Sequence, residues 1–192
     1  MPSPIAHSII GCSFYYWYIS RLNSRISKSL QIIFLSYYVF LSTLFDFDFF
    51  RFDNMTLSVS FKNHTRHSHS IFVLIIIFLI IYLISVFLKN RIPEYKLFLK
   101  MSFIALLSHL TLDMFCWDKN YSNGIGSPLF YPFGNECYIS KVSLFFGLNR
   151  LDIFSFYNFA IIFIEILISL MLAVLIAKAS AYYLIKNSKT LK

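Results

Sequence analysis

IFVLIIIFLIIYLISVFL, residues 71–88, carries no charged side chain over 18 positions. A run of that length is about what a helix needs to cross the hydrocarbon of a bilayer. The 192-residue chain around it is 58% hydrophobic, 20% aromatic and only 14% charged, with a mean hydropathy of +0.67. A soluble domain carries roughly a quarter charged residues. Four further apolar segments lie at about 5–19, 29–45, 97–117 and 157–177. These segments predict an all-α polytopic membrane protein with about five transmembrane helices. Four are of full length; the first is short enough to be tilted or partly re-entrant. Residues 1–192 then form one integral membrane domain.

The opening residues, MPSPIAHSIIGCSFYYWYIS, hold no Lys or Arg. They lack the positive stretch of a secretory signal and end in a Tyr/Trp cluster that suits a membrane interface, so a retained first segment is expected. The formal charge of +8 and pI near 9.4 raise nucleic acid as a partner. No basic-aromatic surface is clustered anywhere, and the charges sit between apolar segments, so no nucleic-acid partner is expected. The three cysteines, Cys12, Cys116 and Cys137, make no CxxC. Cys116 and Cys137 could pair in an oxidising compartment.

The connections alternate in charge. Arg21, Arg25 and Lys28 follow the first segment, Lys89, Arg91, Lys96 and Lys100 follow the third, and Lys178, Lys186, Lys189 and Lys192 follow the last. Glu94 is the single acid among them. On the other side Arg51, Lys62, Arg66, Lys119, Lys141 and Arg150 are matched by Asp46, Asp48, Asp53, Asp113, Asp118, Glu136 and Asp152. Basic residues stay in the cytoplasm, which predicts N-terminus out and C-terminus in.

That orientation gathers chemistry on the outer side. LFDFDFF places Asp46 and Asp48 at the start of the outer 46–70 connection, pointing one way if the chain is extended; the plain alternative is a helix cap or solvated loop. HTRHSHS brings His64, His67 and His69 to the threshold of the third segment, either as transition-metal ligands or as a polar surface loop. SHLTLD sets His109 and Asp113 at i, i+4 on one helix face, where both could ligate an ion or the Asp could orient the imidazole; the alternative is a polar helix contact. His7 stands at the outer end of the first segment. Glu165 lies about eight residues into the last segment, and His109 is the nearest partner in depth; a protonated Glu packed in the bundle is the alternative.

In their order, MPSPIAHSIIG, FDFD, HTRHSHS, LSHLTLD and GSPLFYPF resemble the YdjM-like family, small bacterial inner-membrane proteins described as metal-dependent hydrolases. The resemblance covers roughly residues 1–135. The last segment fits by hydrophobicity alone. Carried over by position, it implies metal-type ligands at His7, Asp46, Asp48, His64, His69, His109 and Asp113. The chain departs from the pattern where a proline usually precedes the acidic pair, and where Thr65 replaces an arginine after the first loop histidine, with Arg66 next to it.

The expected function is a membrane-bound metal-dependent hydrolase at the outer face of the cytoplasmic (inner) membrane. It would take a divalent ion, zinc first and manganese or iron next, with Asp48 or Asp113 as general base. The expected partners are the lipid bilayer and an ester or phosphoester of a lipid or lipid-linked substrate. Seven candidates exceed one four-coordinate site, so two ions, or one ion with supporting carboxylates, are both open. The alternative is a metal-binding adaptor or sensor without turnover. A transporter is disfavoured, since no chain of ionisable groups crosses the midplane.

Overall fold

The computed structural model describes residues 2–22, 26–53, 56–59, 68–117, 127–134, 136–148 and 154–190; side chains are described within these ranges except at 48–53, 56–59 and 183–190. Five helices form where the apolar segments lie: α1 Pro4–Ile19, α2 Lys28–Thr43, α3 Ile71–Phe87, α4 Tyr95–Met114 and α5 Phe156–Thr190. Their starts follow local chemistry. Pro4 occupies the first turn of α1, where its missing N–H costs nothing. Ser27 and Ser70 cap α2 and α3, their hydroxyls accepting from the amides of Leu30 at 3.3 Å and Val73 at 3.2 Å. Helix α5 continues to Thr190 rather than ending near 177. Residues 178–190 hold no Gly or Pro, so polarity carries the helix out of the apolar zone without breaking it.

Among the described residues three helical stretches are long and apolar enough to cross a membrane, Lys28–Phe47, Tyr95–Met114 and Phe156–Tyr182, and Ile71–Phe87 is a shorter apolar helix. Outward-facing side chains on α3 and α5, such as Ile76, Ile84, Phe163 and Met171, are more than half exposed, a surface suited to lipid rather than water. Helix α1 is different. Its 16 residues reach only about 24 Å at helical rise, yet it runs unbroken and packs against α2, α4 and α5. Ala6, His7 and Tyr18 are fully buried. The segment read as short, tilted or partly re-entrant is thus a continuous helix packed among three others.

Contacts fix the helix directions. Ser3 meets Glu165 near the start of α5. Seventeen residues on, Ser20 Oγ lies 3.3 Å from Ser180 Oγ, and the Tyr18 hydroxyl donates to the carbonyl of Pro93, between α3 and α4. The starts of α1, α3 and α5 therefore share one end with the finishes of α2 and α4. Lys28, Lys89, Arg91 and Lys96 fall at the opposite end, matching the division the charges suggested.

Between α2 and α3 the chain makes a 3-10 helix, Leu44–Phe49, and an antiparallel hairpin, β1 Phe50–Asp53 with β2 Thr56–Val59. Beyond α4, β3 Cys116–Trp117 pairs in parallel with β4 Phe145–Phe146. Cys116 and Cys137 are separate thiols, so the pairing considered from sequence is not formed.

Candidate metal centre

At the less basic side the start of α1, the turn after α2, the threshold of α3 and the last turns of α4 each contribute to a buried cluster. On α4 the i, i+4 spacing works as expected, with His109 Nε2 3.4 Å from Asp113 Oδ2. His69 stands just before the Ser70 cap of α3, a helix start held further by the Ile71 amide donating to the Leu129 carbonyl at 2.9 Å. Its Nε2 lies 3.0 Å from Asp113 Oδ2 and 3.1 Å from His109 Nε2. From α1, His7 stacks on the His109 ring, centroids 3.9 Å apart and 14° from parallel, with Nε2 3.5 Å from Asp113 Oδ1. Asp46, turned inward by the 3-10 helix, brings Oδ1 to 3.7 Å from His109 Nε2. Phe45, from the same turn, packs against the rings of His69 and His109.

All five residues are buried; none exceeds 5% exposure. They form two overlapping triads able to hold a metal ion, His7–Asp46–His109 and His69–His109–Asp113. Of the seven residues expected, five converge. The side chain of Asp48 and all of His64 and His67 lie outside the described residues. Residues 44–49 are 3-10 rather than extended, so the alternation that would have aligned positions 46 and 48 is absent.

The hydrogen bonds determine which face of His109 is available. Its Nδ1 lies 2.7 Å from the Ser42 carbonyl, a last-turn group that α2 cannot use internally. A carbonyl only accepts, so Nδ1 carries the proton. In the neutral ring Nε2 is then a bare lone pair directed into the cluster, the tautomer a metal ligand needs. His69 Nδ1 is likewise engaged outward, 2.7 Å from Ser68 Oγ. Neither ring nitrogen of His7 has a hydrogen bond among the described residues, although leaving a buried donor or acceptor unsatisfied costs about 1–3 kcal/mol.

Lone pairs and carboxylates that face one another at such distances form a set that a divalent cation could bridge. With three neutral imidazoles the two carboxylates carry a charge of −2, which one divalent ion cancels. The spacings fit as well. Metal–ligand bonds of about 2.0–2.1 Å place neighbouring tetrahedral ligands about 3.4 Å apart, against 3.0, 3.1 and 3.4 Å around the His69–His109–Asp113 triangle. Two nitrogens of each triad are imidazole, so a transition metal suits better than magnesium or calcium. His109 is common to both triads; its Nε2, with one lone pair to give, faces Asp46, His69 and Asp113, and its Nδ1 is occupied. The two triads therefore overlap at His109, a set that could hold a divalent ion.

Ser42 and Gly11 were not singled out from sequence. A Cβ on Gly11 would lie 2.3 Å from Ser42 Oγ and 2.7 Å from the Tyr38 carbonyl oxygen, so only glycine lets α1 approach α2 one turn from His7. A small residue within an apolar segment was the available signal. Glu165 is also placed differently from the expectation. Its partner is the Ser3 amide, 2.9 Å from Oε2, and not His109.

A family model described as YdjM inner membrane protein matches residues 1–189, so the last helix, beyond the reach of the sequence motifs, is part of the family pattern. No curated protein and no solved structure matches the chain.

Proposed function

The chain belongs to the YdjM inner membrane protein family, and on that premise we propose that it is a membrane-bound metal-dependent hydrolase. Its substrate class is an ester or phosphoester of a lipid or lipid-linked molecule at the outer face of the cytoplasmic membrane. The observation that carries the proposal is the His69–His109–Asp113 triangle, with edges of 3.0–3.4 Å and its lone pairs directed inward. His69, His109 and Asp113 would hold a zinc ion, or manganese or iron, with His7 and Asp46 completing the set. Bound there, such an ion supplies Lewis acidity, polarising a scissile oxygen and acidifying water. The Ser42 carbonyl keeps His109 in the ligating tautomer, and Asp48, at the exit of α2, is the remaining candidate to accept a proton. The positive-inside rule supports an outward-facing centre, because eleven of the chain's basic residues fall in connections at the opposite end. The alternation of the helices, taken with this charge bias, supports five spans with the N-terminus outside.

Metal analysis of the purified protein in detergent tests the centre. About one equivalent of zinc, manganese or iron per chain is expected, with loss of that metal in a His69→Ala/His109→Ala variant. Two equivalents would contradict the sharing of His109 Nε2, and no metal after reconstitution with each ion would remove the hydrolase proposal. Complete burial of the three histidines favours one alternative, a closed site in a metal-binding adaptor or sensor, since catalytic sites keep an open position. Asp48→Asn separates the two. Under the hydrolase proposal it lowers turnover of lipid phosphoesters or esters by about 10²–10⁴-fold while metal content stays at the wild-type level. An adaptor shows no turnover to lose.

A further inference from the structure

Glu165 is a charged-type residue inside an apolar helix and is 1% exposed. Such a residue is expensive and has a reason to be there. Oε2 accepts the backbone N–H of Ser3 at 2.9 Å, while Oε1 has no hydrogen-bond partner among the described residues. Ser3 is the N-cap of α1, its own hydroxyl makes no cap hydrogen bond, and Pro4 behind it has no N–H to give. In a capping box a glutamate three residues into the helix reaches back to the N-cap amide. Here position 6 is Ala6, and the carboxylate arrives from another helix. Its charge also sits at the positive end of the α1 dipole.

The other side of the same peptide leads to the metal centre. The Ser3 carbonyl accepts from the amides of Ala6 at 3.0 Å and His7 at 3.4 Å. The Ser3 residue is thus fastened through its N–H to α5 and through its C=O to the residue that carries the stacked imidazole. We propose that Glu165 is a positioning residue for the metal centre: by capping α1 across the helix interface, it holds His7 at the depth where its imidazole meets His109 and Asp113. This rests on the metal-centre proposal above and assigns α5, which gives no ligand, a part in it.

The test uses the full-length protein in detergent with cobalt(II) as a spectroscopic probe, comparing wild type, Glu165→Leu, Glu165→Gln and His7→Ala. Glu165→Leu is expected to weaken cobalt binding about 10–100-fold, the usual effect of losing a group that orients a ligand. Its visible spectrum should coincide with that of His7→Ala, reporting a missing nitrogen. Glu165→Gln keeps an acceptor oxygen and should restore the wild-type spectrum, a rescue that a purely electrostatic role would not give. Ser3→Pro guards against a folding failure: Ser3 already has φ −68°, which proline adopts, and the substitution deletes only the donated N–H and a hydroxyl. It should reproduce the Glu165→Leu spectrum. Wild-type cobalt binding with an unchanged Glu165→Leu spectrum and affinity overturns the role of Glu165 alone. No cobalt uptake by the wild type overturns the metal centre and, with it, this inference.

Discussion

Asp113→Asn is expected to weaken metal binding by two orders of magnitude or more while leaving the metal-free protein at least as heat-stable as the metal-free wild type. Asp113 is the hub of the cluster, with one oxygen within 3.4 Å of both His69 and His109 and the other 3.5 Å from His7. Removing one partner from a buried charged set costs about 3–5 kcal/mol, which corresponds to more than 100-fold in affinity. The two halves of this expectation separate a metal centre from a static His–Asp ion pair. In an ion pair the carboxylate offsets a protonated imidazole, so its loss would lower stability by that same 3–5 kcal/mol. In a metal centre the empty site already suffers from facing lone pairs. An asparagine amide of equal volume can donate to His69 and His109 Nε2, relieving that repulsion. Titration of zinc into both proteins by calorimetry, with thermal melts in chelator, measures both quantities. A destabilised variant that still binds zinc at wild-type affinity would refute the centre as drawn.

How far the residues alone lead depends on which kind of signal is asked for. Helix positions were legible because lipid leaves the backbone no alternative: an unbroken apolar run must satisfy its own N–H and C=O groups, and only a helix does so. The finish of α5 was not legible, because hydropathy reports where a helix leaves the apolar layer and not where it stops. His109 and Asp113 were legible for the opposite reason, being costly groups in an apolar helix at a spacing that aligns them. Asp46 and His69 could be named from their neighbours along the chain, but their turn into the cluster could not. That placement depends on a 3-10 turn and on a cap at Ser70, each of which acts over one or two residues. The central place of α1 was invisible, since short length and modest hydropathy look alike in a peripheral re-entrant segment and in a helix shielded by its neighbours. Hydrophobic periodicity distinguishes a lipid face from a protein face poorly when both are apolar. The link from Glu165 to Ser3 spans 162 residues, and no local pattern encodes such a pair.

Gly11→Ala is expected to damage the centre without touching any ligand. The added Cβ would meet Ser42 Oγ at 2.3 Å, the Tyr38 carbonyl oxygen at 2.7 Å and Val39 Cα at 2.9 Å. The hydroxyl could rotate away, although it now bonds the carbonyls of Tyr38 and Val39. The other two are backbone atoms inside α2, so the helices themselves must part. Overpacking of this kind costs about 1–3 kcal/mol, or roughly 2–4 °C in melting temperature for each kcal/mol in a chain of this size. The consequence for the centre is geometric. Helix α1 carries His7 one turn before Gly11, and α2 carries both Asp46, just past its end, and the Ser42 carbonyl that orients His109. Parting α1 from α2 therefore pulls the His7–Asp46–His109 triad apart while leaving the His69–His109–Asp113 triangle largely on α3 and α4. Zinc affinity should fall about 10–100-fold, as when an orienting contact is lost, but less than in Asp113→Asn. Gly134→Ala supplies the comparison: among the described residues its Cβ would meet only Phe130 Cβ, at an ordinary 3.8 Å, and both melting temperature and zinc affinity should stay at wild-type values. Equal behaviour of the two glycine variants would mean that α1 and α2 do not approach as closely as the centre requires. A Gly11→Ala protein that melts lower yet binds zinc normally would place His7 and Asp46 outside the ligand set, leaving the triangle to act alone.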